Sequence, residues 1–291
     1  MSTFIIFGAT GATGRFLLPA LLGRGERVHA VSRRPPASAD RPQPEWIQGD
    51  LFGAAGALPS AADVVMSLGP LDAFSAWFDS APPIAGVRRV IALSSMSAET
   101  KSASPDVAER ALAETLRRAE QRLLRTAAAR GIACTLLRPT LIYGGGADRS
   151  LVPIARLALR WRILPIPLGA SGLRQPVHAA DLAGAVDALV DSTAAHGKIY
   201  ALGGGERLRF DRMLLRLRAA MPKFVLPLPI PQFMIRAALR IQAGRDVGSI
   251  SAAAVGRTRV DLVADNSDAA RDFGYAPRAF AAADVIAAAR R

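Results

Sequence analysis

The chain has 291 residues, 51% of them hydrophobic, which is enough to close a full core and too apolar for a disordered chain. Its net charge is +13 and only three of the 37 basic residues are lysine (Lys101, Lys198, Lys223); the arginines are spread along the chain and no nucleic-acid-binding module accompanies them, so nucleic acid is not an expected partner. The single cysteine, Cys134, lies in an apolar run, which excludes a disulfide framework and a cysteine-based metal site.

Thr3–Phe7 is the first predicted strand, followed by a helix over Ala12–Arg24. Further strands are predicted at Arg27–Val31, Glu45–Gln48, Asp63–Ser67, Arg88–Leu93 and Ile132–Leu137. Several are near-continuous apolar runs, as strands covered on both faces should be. A helix near Ala73–Ser80 and a long one near Asp106–Arg130 lie between them. Alternating β and α units imply a parallel sheet with right-handed crossovers, the doubly wound, Rossmann-type α/β architecture. After Pro139 the pattern changes. Leu151–Ile163 reads as a basic amphipathic helix, Asp181–Asp191 as a helix, Lys198–Leu202 as a short strand and Arg209–Ala220 as a helix. The proline-punctuated run Phe224–Pro231 precedes an apolar helix near Phe233–Ile241. No linker interrupts the chain, so one domain over 1–291 is expected, its core from 1–150 and 174–204 and a smaller lobe from about 151–173 and 205–264. No apolar run is long enough for a spanning helix or a signal-peptide core, which sets a cytoplasmic expectation.

The strongest motif is Gly8-Ala9-Thr10-Gly11-Ala12-Thr13-Gly14, after a strand and opening a helix. A pyrophosphate must approach the unpaired N–H groups at a helix N-terminus, where the helix dipole also favours an anion. Gly8 permits the tight turn, Gly11 the close approach and Gly14 the packing of helix on strand. At the end of the second strand stands Ser32, followed by Arg33 and Arg34. A carboxylate here bonds the ribose of NAD and would repel a 2′-phosphate, whereas a guanidinium grips one. NADP is therefore expected over NAD; otherwise the two arginines are solvated loop residues. Asp50, beside Leu51, accepts from an adenine amino group or caps the next turn. Ser67, Leu68 and Gly69, at the end of the fourth strand, complete the expected dinucleotide cradle.

With these motifs the chain resembles the short-chain dehydrogenase/reductase superfamily, in its extended or atypical branch related to NAD-dependent epimerases and dehydratases. Ile91–Ser95 resembles the fifth strand and serine loop of that branch, which brings Ser94 and Ser95 to the cofactor. Arg138–Gly144 resembles the RPxxxYG segment bordering the nicotinamide, so Pro139 and Leu141 join the cofactor contacts and Tyr143 the substrate side. Arg174–Asp181 resembles the RxxxHxxD segment, in which Arg174 meets a substrate phosphate in nucleotide-sugar epimerases. Asp265–Ser267 and Phe273–Pro277 resemble the closing stretch.

One departure bears on the chemistry. The resemblance aligns Glu120 with the residue trailing the family's catalytic Tyr-xxx-Lys, which puts Leu112 and Leu116 in the Tyr and Lys positions. Hydride transfer to a carbonyl needs an acid at the developing alkoxide. The remaining candidates are Ser95 and Lys101. The leading expectation is an NADP-dependent oxidoreductase or epimerase-like enzyme on a small organic substrate, anionic or hydrophobic, with an atypical proton donor. The alternative is a non-catalytic NADP-binding sensor or assembly subunit. A weaker reading, a membrane-surface protein, rests on the apolar, basic segments around Arg156, Arg160, Arg162, Lys223, Arg236 and Arg240. Packing of these segments on the core, or a homodimer face, is their plainer role. With three histidines and no clustered ligands, no metal site is expected.

Overall fold

The computed structural model describes residues 1–36, 43–51, 56–146, 148, 150–234 and 256–290. In chain order the elements are β1 (Thr3–Phe7), α1 (Gly14–Gly23), β2 (Arg27–Ser32), β3 (Glu45–Gln48), β4 (Val64–Ser67), α2 (Leu71–Ser80), β5 (Arg89–Leu93), α3 (Ser97–Thr100), α4 (Val107–Ala129) and β6 (Ala133–Pro139). Then come β7 (Ile142–Tyr143), α5 (Leu151–Trp161), β8 (Ile163–Pro167), β9 (Leu173–Arg174), β10 (Val177–His178), α6 (Ala179–Ala188) and β11 (Ile199–Leu202). The chain finishes with β12 (Leu208–Arg209), α7 (Phe210–Ala219), β13 (Leu226–Ile230), α8 (Ser267–Phe273) and α9 (Ala282–Ala289). Two compact units form, one from 1–139, 179–202 and 265–276, the other from 140–178, 203–264 and 277–291.

The first unit holds a seven-stranded sheet in the order β11-β6-β5-β4-β1-β2-β3. Every pair in it is parallel. Reversal of strand order between β1 and β4 makes the topological switch point at which doubly wound sheets bind ligands. The central strands are buried end to end, which is why they read as continuous apolar runs: all of β4 and β5 is buried. On one face Phe7 meets Phe74 and Trp77 of α2 at ring-centroid distances of 5.6 and 4.6 Å. Helix α4 begins where Asp106 accepts from the Ala108 and Glu109 amides and ends at Gly131, in the left-handed region that closes such helices.

Two polar anchors fix the later segments to this sheet. Buried Arg89, whose pKa burial lowers, donates to the Leu189 and Ser192 carbonyls just past α6, where the helix dipole is negative. Asp272 of α8 accepts from Lys198 and from Tyr200 of β11 at 2.8 and 2.6 Å, which holds its carboxyl well below the usual range.

The second unit packs α5, α7 and α9 around Tyr143, Leu164, Met213, Leu217 and Ile286. Its β8 and β13 pair in parallel, which sequence reasoning missed because Pro165, Pro167, Pro227 and Pro229 lie in them. Leu226 donates to the Arg162 carbonyl and Leu168 to that of Ile230. By alternation Leu164 and Ile166 of β8 and Leu226, Leu228 and Ile230 of β13 turn their N–H groups inward, and the prolines turn their ring nitrogens outward, where a two-stranded ribbon needs no donor. The helix expected at Phe233–Ile241 lies, beyond Met234, outside the described residues, as do Arg236 and Arg240. No helix among the described residues is long and apolar enough to cross a membrane.

Candidate dinucleotide site

The glycine loop sits at the switch point. Gly8 follows β1 with φ +77°, and a Cβ there would stand 2.9 Å from the Gly69 nitrogen and the Leu68 carbonyl carbon. The loops after β1 and β4 therefore meet backbone to backbone, with Leu68 donating to the Phe7 carbonyl at 2.9 Å. A Cβ on Gly14 would lie 2.1 Å from the Ala9 carbonyl oxygen, so α1 is pressed directly on the loop. Gly11 differs. Its amide closes the turn onto the Gly8 oxygen at 3.0 Å, and a Cβ there would meet only that oxygen, at 3.1 Å. The space in front of Gly11 is otherwise open.

The electrostatics of this loop suit an anion. The first amide of α1 to find a backbone acceptor is Arg15, bonded to Gly11, which leaves the amides of Ala12, Thr13 and Gly14 ahead of it. Thr13, though buried, makes no side-chain cap, and the first turn carries no acidic residue to neutralise the positive helix end. Thr10 is exposed above the loop. Ser67 ends β4, fully buried, its hydroxyl without a partner among the described residues. Amides at a helix start with no backbone acceptor, and open space in front of Gly11, suit a bound pyrophosphate, and the Ser67 hydroxyl adds a further polar group at the same loops.

The register Phe7↔Val31 places Ser32 alongside Gly8. Ser32 accepts from the Arg34 amide at 3.2 Å, a local turn that leaves Arg33 and Arg34 exposed. Asp50 and Leu51 follow β3 and are half-buried.

At the far side of the switch point, the ends of β5 and β6 carry a network that the sequence did not foretell. The Ser94 hydroxyl donates to Glu120 at 2.5 Å. Arg138 grips the same carboxylate with two nitrogens, at 2.8 and 2.6 Å, and also reaches Glu99. Glu120 is almost fully buried, and its hydrogen bonds raise the pKa of Arg138. The trailing glutamate thus neutralises a buried arginine and ties α4 to the strand ends. Glu120 and Arg138 each stand in a family motif, but nothing in their spacing pairs them.

Ser95 accepts from the Ser97 amide at 3.1 Å and is half-buried. Lys101 follows α3, half-buried, its amide bonded to the Ser97 carbonyl. On α4 Leu112 is 42% exposed and Leu116 half-exposed; the helix buries Glu109, Ala113 and Glu120 instead. Pro139 closes β6, its carbonyl accepting from Met96.

Leu141, Tyr143 and Arg174 belong to the second unit. Leu141 packs against its core. Tyr143, expected on the substrate side, is fully buried; its hydroxyl accepts from the Ala281 amide at 3.0 Å and its ring stacks edge-on with His178 and Phe280. Arg174, expected at a substrate phosphate, is buried over the Phe210 ring and donates to the carbonyls of Leu173, Val260 and Arg257, each at 2.7 Å. Desolvation lowers its pKa. Both residues bind their own unit together. Among the described residues no cluster of three or more His, Cys, Asp or Glu is placed to hold a metal.

Comparison with known proteins agrees with this geometry. A family model described as NAD(P)H-binding matches residues 8–153. A curated relative, the mitochondrial NADH dehydrogenase [ubiquinone] 1 alpha subcomplex subunit 9 of Arabidopsis thaliana, is 28% identical over 79% of this chain and 61% of its own length. The chain thus spans under two thirds of that relative. Among solved structures, a short-chain dehydrogenase/reductase superfamily protein from Agrobacterium tumefaciens with bound NAD superposes with a TM-score of 0.70 at 14% identity, over 99% of this chain and 96% of that one. The UDP-glucuronic acid 4-epimerase of Bacillus cereus in complex with NAD gives 0.68 at 14% identity, over 99% and 97%. The glycine cradle at the switch point lies at the head of the matched region, and the chain belongs to the NAD(P)H-binding family.

Proposed function

We propose that the chain is an NADP(H)-binding protein in which the dinucleotide is held as a sensing or structural group rather than turned over. One observation carries this reading. The α4 positions that the family uses for its acid and its ribose-orienting cation are Leu112 and Leu116, both partly open to solvent and neither able to move a proton. The Ser94 hydroxyl is committed to the Glu120–Arg138 pair. A subunit role for the Arabidopsis relative, as its name states, supports the same reading. Selection of NADP rests on Ser32 in place of a carboxylate and on the two exposed arginines after it. The two solved neighbours hold NAD.

A second reading keeps an enzyme acting on a small organic substrate. It is favoured by Ser95, a hydroxyl that accepts from the Ser97 amide and keeps a proton to give, and by half-buried Lys101 at the other end of α3.

Calorimetric titration with NADPH and NADH tests the first reading. NADPH binds the more tightly, and Arg33→Ala with Arg34→Ala weakens it by roughly tenfold to a hundredfold, with NADH changed no more than about twofold. Equal losses for both cofactors overturn the NADP assignment. Steady NADPH oxidation by a carbonyl compound, abolished by Ser95→Ala or Lys101→Met, moves the conclusion to the enzyme.

A further inference from the structure

Within the second unit, the ribbon of β8 and β13 turns one apolar face to solvent. Its register pairs Ile163 with Leu226 and Pro165 with Leu228, and side chains alternate along each strand, so these four share a face. Ile163, Leu226 and Leu228 are 39%, 48% and 40% exposed, whereas Leu164, on the opposite face, is fully buried. Trp161 and Phe224, which lead into the two strands, are 61% and 68% exposed. Scattered exposed apolar residues are ordinary, but a contiguous strip of them marks a contact surface.

The segments that build this strip carry charge of one sign. Segments 151–178 and 212–234, which build it, contain no Asp or Glu. Arg160 lies 5.4 Å from the Trp161 ring centroid and Arg218 lies 5.1 Å from that of Phe224. Arg162, in the left-handed conformation that ends α5, and Lys223 are exposed beside the same two rings in sequence. Each large ring thus carries a guanidinium at its edge of the strip, an arrangement suited to an interface that is apolar below and anionic above.

We propose that this ribbon docks on an anionic lipid bilayer. Trp161, Ile163, Phe224, Leu226 and Leu228 enter the headgroup boundary, and Arg160, Arg162, Arg218 and Lys223 meet lipid phosphates. The charge argument selects this occupant. A second copy meeting the ribbon through a twofold axis would set arginine against arginine with no carboxylate from these segments between them. A bilayer asks only for apolar area and one sign of charge.

Flotation of the whole chain with vesicles of phosphatidylcholine, with and without phosphatidylglycerol, tests the proposal. Recovery with the anionic vesicles is at least about tenfold higher than with neutral ones. Trp161→Glu with Phe224→Glu returns it to the neutral level; both side chains are exposed, so the far-ultraviolet circular dichroism stays that of the parent. Arg160→Glu with Lys223→Glu does the same through charge. Absence of the parent chain from the anionic fraction overturns the proposal, as does undiminished flotation of the Trp161→Glu, Phe224→Glu chain. A dimer by analytical ultracentrifugation that this double substitution breaks, with no vesicle recovery, overturns it in favour of a second copy.

Discussion

Gly11 and Gly14 belong to one motif, yet the structure gives them different roles, and alanine at each separates the two. At Gly14 a Cβ would stand 2.1 Å from the Ala9 oxygen and 2.5 Å from its carbonyl carbon, all backbone, so α1 must lift from the loop. Overpacking of that kind costs about 1–3 kcal/mol or more. At roughly 2–4 °C per kcal/mol for a chain of this size, Gly14→Ala lowers Tm by about 2–12 °C. At Gly11 the sole contact is the Gly8 oxygen at 3.1 Å, relieved by a shift of a few tenths of an ångström, and the φ lies outside the left-handed region. Loss of glycine entropy in the unfolded chain offsets that strain, so stability stays within about 1 kcal/mol of the parent. On the proposed reading the new methyl instead stands where the pyrophosphate approaches, and NAD(P)H affinity falls by tens of fold or more, roughly the discrimination one misplaced methylene gives. Thermal unfolding without ligand and calorimetric titration with NADPH measure the two effects. Full NADPH affinity in Gly11→Ala, or destabilisation of Gly11→Ala as large as that of Gly14→Ala, refutes the division of labour.

Two further outcomes follow from buried groups. Arg138→Leu leaves the Glu120 carboxylate buried without its bidentate partner and lowers stability by about 3–5 kcal/mol in urea denaturation; a loss under about 1 kcal/mol would show that the pair is not what ties α4 to β6. Cys134 is buried in β6, which pushes its thiol up to about 12. Its folded pKa is raised, so its contribution to stability is intact below the pKa of the unfolded thiol, near 9, and is lost as pH climbs from there toward 12. Compared with Cys134→Ala, the parent therefore loses stability more steeply above pH 9, by up to about 1.4 kcal/mol per pH unit. Parallel pH curves for the two chains, or rapid labelling of the native thiol at pH 8, would be the contrary result.

Rossmann architecture was legible because its signals are local. The inner sheet strands are buried as apolar runs, and the glycine spacing marks the turn from β1 into α1. The edge strand β11 was legible from the run Lys198–Leu202 alone, although its partner β6 lies about sixty positions earlier. Long-range polar pairing was not legible. Ser94, Glu120 and Arg138 each carried a separate expectation, and only the fold brings them together. Tyr143 and Arg174 illustrate the converse. Their motifs suggested ligand contacts, but a phenol and a guanidinium also satisfy buried carbonyls and amides, and the second unit uses them so. The β8–β13 ribbon was hidden because proline ordinarily argues against a strand; a two-stranded ribbon removes that objection by giving each proline an open edge.

The path of the chain has a consequence for biosynthesis. Leu136 and Leu137 of β6 have no solvent access in the finished molecule, where β11 covers that side of the sheet. On the ribosome, everything from Thr140 to His178 and then α6 must emerge before Ile199 appears. Until then β6 is a bare, apolar sheet margin open to pairing with any other nascent strand. Translation stalled in that interval yields an aggregation-prone species, and the seventh strand is the step that ends the hazard.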